Sequence, residues 1–181
     1  SVPLLPISTG TNNVFPGMVE GTIAGLAAGL VAKRLVPLSE VALSHTQLEV
    51  ILDGNMVDLA LVDALVYDSV FIGSRAVWDM DKVRTVFLNR AEPEKIGISS
   101  IGGLIHPVGP EDPKGLCLEI GKNGRRVIAP IAPGMIRDVW VSAQNVMHIG
   151  EEFKIRLTPS VLALDGEREV EIRQGQQATI R

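Results

Sequence analysis

After Pro37 the chain breaks into short apolar runs separated by glycine-bearing turns, and that spacing restricts it to a mainly antiparallel β body. Val41–Leu52 and Met56–Tyr67 flank Asp53-Gly54-Asn55, a sequence suited to a tight hairpin. Leu116–Ile120 and Arg126–Ala132 flank Gly121-Lys122-Asn123-Gly124, which reads as a second hairpin. Asp165-Gly166 turns a third between Val161–Leu164 and Arg168–Arg173. Val70–Ile72, Glu94–Ser100, Gly103–His106, Met135–Val141, Glu152–Thr158 and Gln176–Arg181 read as further strands. Ala76–Leu88, with Trp78, Val83 and Val86–Leu88, is the one helix expected in this part.

The first residues have a different character. Pro3–Ser8 reads as a short strand, followed by a turn of small polar residues and a helix over Gly17–Leu35 with Pro16 in its first turn. Gly21, Gly25 and Gly29 recur every fourth residue and so share one helix face, where close backbone packing against a sheet is expected. Residues 1–36 therefore read as a strand-loop-helix remnant of an α/β nucleotide-binding domain, and residues 37–181 as a β-rich domain. The fold class is α+β, predominantly β. One strand and one helix cannot close a parallel sheet, whose two faces both need cover.

Composition narrows the function. The chain has 181 residues and a formal net charge of −4, which disfavours nonspecific nucleic-acid binding. Aromatic residues make up only 4%, too few for a base-stacking surface. No apolar run approaches the roughly 18 residues of a membrane span, and no basic leader precedes an apolar segment, so a cytoplasmic protein is expected. The lone Cys117 sits in a strand-like run and is expected in the core. His45, His106 and His148 are scattered, so no metal site is expected.

Ser8-Thr9-Gly10-Thr11-Asn12-Asn13 follows the apolar run that ends at Ile7 and precedes the helix. A glycine turn of small hydroxyl and amide residues in that position can aim backbone N–H groups at an anion. It could equally be an ordinary strand-to-helix connection. Pro6-Ile7-Ser8-Thr9-Gly10-Thr11-Asn12-Asn13-Val14-Phe15 resembles the second site motif of the NAD kinase/diacylglycerol kinase superfamily. Its wording, together with Leu162–Val170 around Asp165-Gly166-Glu167, is most similar to the ATP-NAD kinase-like or acetoin catabolism protein X branch.

That resemblance implies a kinase moving the terminal phosphoryl group of ATP, with Mg2+, to a hydroxyl of NAD or a related small-molecule nucleotide. It implies Thr9, Gly10, Thr11, Asn12 and Asn13 as the ligand loop. It makes Asp63, in Asp58–Val66, the counterpart of an acid beside the dinucleotide, with Val62 where the family has Asn. His106 and Gly109 match a family segment ending in Thr-Pro-Thr-Gly-Ser, although the hydroxyls are replaced. Asp165 and Gly166 form the closing turn, and Glu167 follows as a possible catalytic acid. A solvent-facing strand position for Asp63, a strand-end position for His106 and a plain hairpin turn at Asp165-Gly166 remain the alternatives.

The family's Gly-Gly-Asp-Gly-Thr motif, which supplies the base, does not occur in these residues. The chain thus reads as the C-terminal portion of such a kinase or a truncated paralogue, inactive alone. A non-catalytic dinucleotide- or metabolite-binding module, or an oligomerisation module, and a lipid-kinase relative are the competing readings. A homo-oligomer is expected, because family members assemble through their β domains.

Overall fold

A computed structural model describes residues 3–8, 14–69 and 79–181. Two compact units result, residues 1–45 and residues 46–181.

In the first unit, Ile7 forms a parallel bridge with Gly17, and the Ser8 amide donates to the Gly17 carbonyl at 2.9 Å. The expected strand over residues 3–8 is therefore only this bridge. Helix α1 spans Gly21–Ala32, and the four-residue α2 spans Leu38–Val41. Glu20, not Pro16, starts α1: its carboxylate accepts from the Thr22 and Ile23 amides at 2.9 and 3.1 Å. Those amide bonds hold its carboxyl below the usual range. Among the described residues nothing lies within 4 Å of where a Cβ would stand on Gly21, Gly25 or Gly29, so the expected close packing is not seen. Ala24 is the helix's one buried residue.

The second unit holds ten strands: β1 (Leu48–Leu52), β2 (Asn55–Ala60), β3 (Asp63–Tyr67), β4 (Val83–Leu88), β5 (Lys114–Ala132), β6 (Met135–His148), β7 (Phe153–Ile155), β8 (Ser160–Leu164), β9 (Arg168–Ile172) and β10 (Ala178–Ile180). They build a four-stranded sheet in the order β2-β1-β10-β7 and a six-stranded sheet in the order β6-β5-β4-β3-β8-β9. Every named pair is antiparallel.

The centre of the six-stranded sheet (β3, β8, most of β4 and the start of β5) is buried on both faces, and side chains there alternate between two cores as the period of two demands, whereas the edge strands β6 and β9 are largely exposed. Ala64, Val66, Phe87, Cys117, Leu162 and Leu164 face the core shared with Leu48, Val50, Ile155, Ala178 and Ile180 of the smaller sheet. Leu65, Tyr67, Val86, Leu88, Leu116, Leu118 and Ala163 face the opposite core, with Ile101 and the distal Val127, Ala129, Val139 and Val141. Double-sided burial explains why β3, β4 and β8 read as continuous apolar runs.

Several expectations are corrected. Of Ala76–Leu88, the described part is a 3₁₀ turn at Met80–Lys82 followed by β4, because Val83, Val86 and Leu88 pack on one face and Phe87 on the other. Glu94–His106 contains no strand; it carries helix α3, Ile98–Gly103. Gly121–Gly124 is not a hairpin turn but a four-residue bulge inside β5: Ile120 and Arg125 both register with Val141. The chain reverses instead after Ala132, where Gly134 has φ +72°. The run Met56–Tyr67 also divides into β2 and β3, bending at Leu61-Val62. The strand expected at Val70–Ile72 lies outside the described residues. The Asp-Gly hairpins hold, with φ +49° and +81° at Asp53-Gly54 and +52° and +70° at Asp165-Gly166.

Helix α3 lies on the sheet through its glycines. A Cβ on Gly102 would stand 2.2 Å from Leu88 Cδ1 and 3.0 Å from the Ala91 Cβ. Gly102→Ala is expected to cost about 1–3 kcal/mol through overpacking, read as a lower urea midpoint at unchanged slope.

Candidate functional site

The bend between β2 and β3 carries the chain from the smaller sheet to the larger, and it leaves consecutive amides without ladder partners. The turn after β8 supplies them. Asp165 Oδ1 accepts from the Leu61, Val62 and Asp63 amides at 3.0, 2.8 and 3.3 Å, and its Oδ2 from Leu61 at 3.1 Å. The Asp165 amide in turn donates to the Asp63 carbonyl at 3.0 Å. Asp165 can reach the bend because its positive φ turns the β8–β9 hairpin tightly.

Other groups close the corner. Arg168 Nη2 donates to the Leu59 carbonyl at 2.6 Å and lies 3.4 Å from Asp165 Oδ2, while Nε lies 3.6 Å from Asp58 Oδ1. Asn89, 2% exposed, sends its side-chain N–H groups to the carbonyls of Thr46 and Leu61 at 2.7 and 2.9 Å. Its side-chain oxygen accepts from the Thr46 hydroxyl, and its backbone amide donates to the Val62 carbonyl.

Asp63 is partly buried, and its carboxyl has no hydrogen-bond partner among the described residues. Burial, then the neighbouring charge of Asp165, push it up to about 7. A carboxyl that titrates near neutrality and has no internal partner can either donate or accept a hydrogen bond to a ligand.

Beyond Asn89, the chain passes a second polar group. Arg90 is buried, its Nη1 lies 3.7 Å from Glu92 Oε1, and burial lowers its proton affinity against the pull of Glu92. Ser99 Oγ donates to the Arg90 carbonyl at 2.9 Å and accepts from the Glu92 amide at 3.1 Å. Ala91 bridges Val108. His106 lies just past α3, with its Nε2 3.4 Å from Lys114 Nζ, and the Gly109 amide donates to Asp112 Oδ2 at 2.9 Å. Asp165 thus meets the backbone of Asp63 at this corner, Gly166 and Glu167 follow it in the same turn, and His106 and Gly109 flank Val108 of the bridge to the segment leaving Asn89. Thr9, Gly10, Thr11, Asn12 and Asn13 lie outside the described residues.

Glu167 is exposed at the hairpin, and its carboxylate makes no hydrogen bond or ion pair among the described residues. Asn89, Arg90 and Arg168 were not singled out from the sequence. The one signal for the first two was a polar pair ending an apolar run, hidden by reading that run as a helix. Cys117 is buried between the sheets, where burial and then Glu119 push its thiol up to about 12, as a core residue requires.

Asp165→Ala strands three amides in a partly buried bend, so a loss of about 3 kcal/mol is expected by chemical denaturation. Glu167→Ala should change stability by less than about 0.5 kcal/mol in the same measurement.

The family described as the acetoin catabolism protein X C-terminal domain matches residues 46–181. The acetoin catabolism protein X of Cupriavidus necator is 40% identical over 187 residues, covering 99% of this chain and 52% of that protein. The chain spans about half the length of the curated relative it matches. No solved structure matches it.

Proposed function

We infer that this chain, which belongs to the acetoin catabolism protein X family, supplies the β-rich ligand-binding portion of an NAD kinase-like phosphotransferase. In this reading the whole protein moves the terminal phosphoryl group of ATP to a hydroxyl of NAD or a related metabolite. The observation that carries it is the meeting of two distant motif positions: Asp63 and the Asp165 turn, about a hundred residues apart, share one corner through the Leu61–Asp63 amides.

The roles divide by chemistry. Of the two acids at the corner, Asp63 is open to a ligand hydroxyl, whereas the acceptors of Asp165 are filled by the backbone. Asp165 therefore orients the bend, and Asp63 makes the ligand contact. Glu167, exposed and without a side-chain partner among the described residues, is the acid proposed for proton transfer. In this reading Mg2+ would enter as the partner of the ATP phosphates. Without Gly-Gly-Asp-Gly-Thr, these residues alone lack the family's base and are proposed to bind without catalysing.

A non-catalytic binding module is the second reading, favoured by the backbone-filled carboxylate of Asp165. We place the protein in the cytoplasm, as a homo-oligomer with no nucleic-acid or membrane partner. No helix among the described residues is long and apolar enough to cross a membrane, and β6 leaves a 14-residue sheet edge for assembly.

Thermal unfolding with millimolar NAD, NADP, ATP with Mg2+, a lysophospholipid and sphingosine tests this. A ligand at about a hundred times its Kd adds roughly 2.7 kcal/mol. Stabilisation by NAD or NADP, lost in Asp63→Ala, is the expected result. Stabilisation by lipid alone would replace the dinucleotide reading with a lipid-kinase one, and a flat response to all five would leave a scaffold.

A further inference from the structure

We propose that Asn123 is a site of spontaneous deamidation, at which the backbone nitrogen of Gly124 attacks the Asn123 side chain and converts it to isoaspartate and aspartate. The sequence holds three Asp-Gly or Asn-Gly pairs, at residues 53–54, 123–124 and 165–166. Glycine in the second place leaves the attacking nitrogen unshielded by any side chain. What separates the three is how the first residue of each is held.

Asp165 and Asp53 are engaged by distant segments. The carboxylate of Asp165 accepts from the Leu61, Val62 and Asp63 amides. Asp53 Oδ1 accepts from the Gln177 amide at 2.9 Å, and its Oδ2 from the Gln176 side-chain amide at 3.2 Å. Asn123, by contrast, is exposed, and its side chain makes no hydrogen bond among the described residues. It belongs to the four residues 121–124 that have no register partner on β6, since Ile120 and Arg125 both register with Val141. The ladder therefore does not fix the backbone between Asn123 and Gly124. A bulkier, shielding residue cannot replace Gly124, because its Cβ would stand 1.9 Å from the Val141 carbonyl oxygen.

The step needs only water. The Gly124 nitrogen forms a bond to Asn123 Cγ and gives up its proton, the Cγ–Nδ2 bond breaks, and Nδ2 leaves as ammonia, which closes a cyclic imide. Water then opens the imide at either carbonyl. Opening at the former backbone carbonyl leaves isoaspartate, and opening at Cγ leaves aspartate. Either product places a negative charge between Lys122 and Arg125. Isoaspartate also lengthens the backbone of β5, but within residues that the ladder already leaves out.

The test is incubation of the full chain in mildly alkaline buffer, native or unfolded in guanidinium. Peptides released by cleavage after glutamate are then read by mass spectrometry, with fragmentation that distinguishes isoaspartate from aspartate. In the native chain the peptide beginning at Ile120 is expected to gain the mass of an amide-to-acid exchange at Asn123, within a few-fold of the unfolded rate, while Asp53 and Asp165 form no isoaspartate. A native rate at Asn123 far below the unfolded one overturns the proposal, as does isoaspartate forming at Asp53 or Asp165 in the native chain as fast as in guanidinium. Asn123→Gln should stop the mass gain and leave the denaturation midpoint unchanged, and a gain that persists in this variant also overturns the assignment. No ligand enters these readouts, so the modification and the dinucleotide reading can fail separately.

Discussion

The bend at Leu61-Val62 is the constraint on which the β body depends. A chain leaving one sheet for another must break its ladder, and each broken position leaves an amide that burial makes costly. Asp165 answers all three amides at once with one carboxylate. Because it sits on the β8–β9 turn, the same contact pins the larger sheet to the strand that comes from the smaller one. Arg168 and Asn89 add ties from β9 and from the end of β4 to Leu59, Leu61 and Thr46. Four separate stretches of sequence are thereby held at one point.

The two acids of the bend differ in how they are held. Asp165 is engaged by the bend's amides, while burial, and then the charge of Asp165, disfavour ionisation of Asp63. The first carboxylate is taken up by the backbone of the bend, while the second makes no hydrogen bond among the described residues. The segment leaving Asn89 extends the polar region past Arg90 and Ser99 to the Ala91–Val108 bridge, near His106 and Gly109. A buried Arg beside Glu92 is costly unless its hydrogen-bonding geometry is kept, which ties the course of this segment to the packing of α3 beneath it.

Local sequence was informative wherever local sterics decide. Asp53-Gly54 and Asp165-Gly166 turn as expected, since positive φ at both positions is what those residues tolerate. It misled where the same residues serve another purpose. Gly121 and Gly124 look like turn residues but belong to a bulge in β5, and a Cβ on Gly124 would stand 1.9 Å from the Val141 carbonyl oxygen. Gly102 and Gly103 discourage a helix by propensity, yet α3 forms because only glycine lets it approach Leu88 and Pro93. Val83–Leu88 was legible as apolar but not as a strand, because a run buried on both faces loses the alternation that would mark it.

Sequence by itself determined the class of the chain: predominantly β, hairpin-rich, with Asp63 and Asp165-Gly166 as residues of interest. The class and the turns rest on turn sterics and hydrophobic spacing, which act over a few residues, whereas Asp63 was singled out by the family resemblance. Only the tertiary structure decided that Asp165 serves the backbone, that Asp63 is left with an open and perturbed carboxyl, and that Asn89 and Arg168 complete the corner. Those roles arise from contacts between residues as many as 109 positions apart. No local pattern encodes them, because the cost of an unpaired amide or an unpaired charge exists only once the sheets have closed around it.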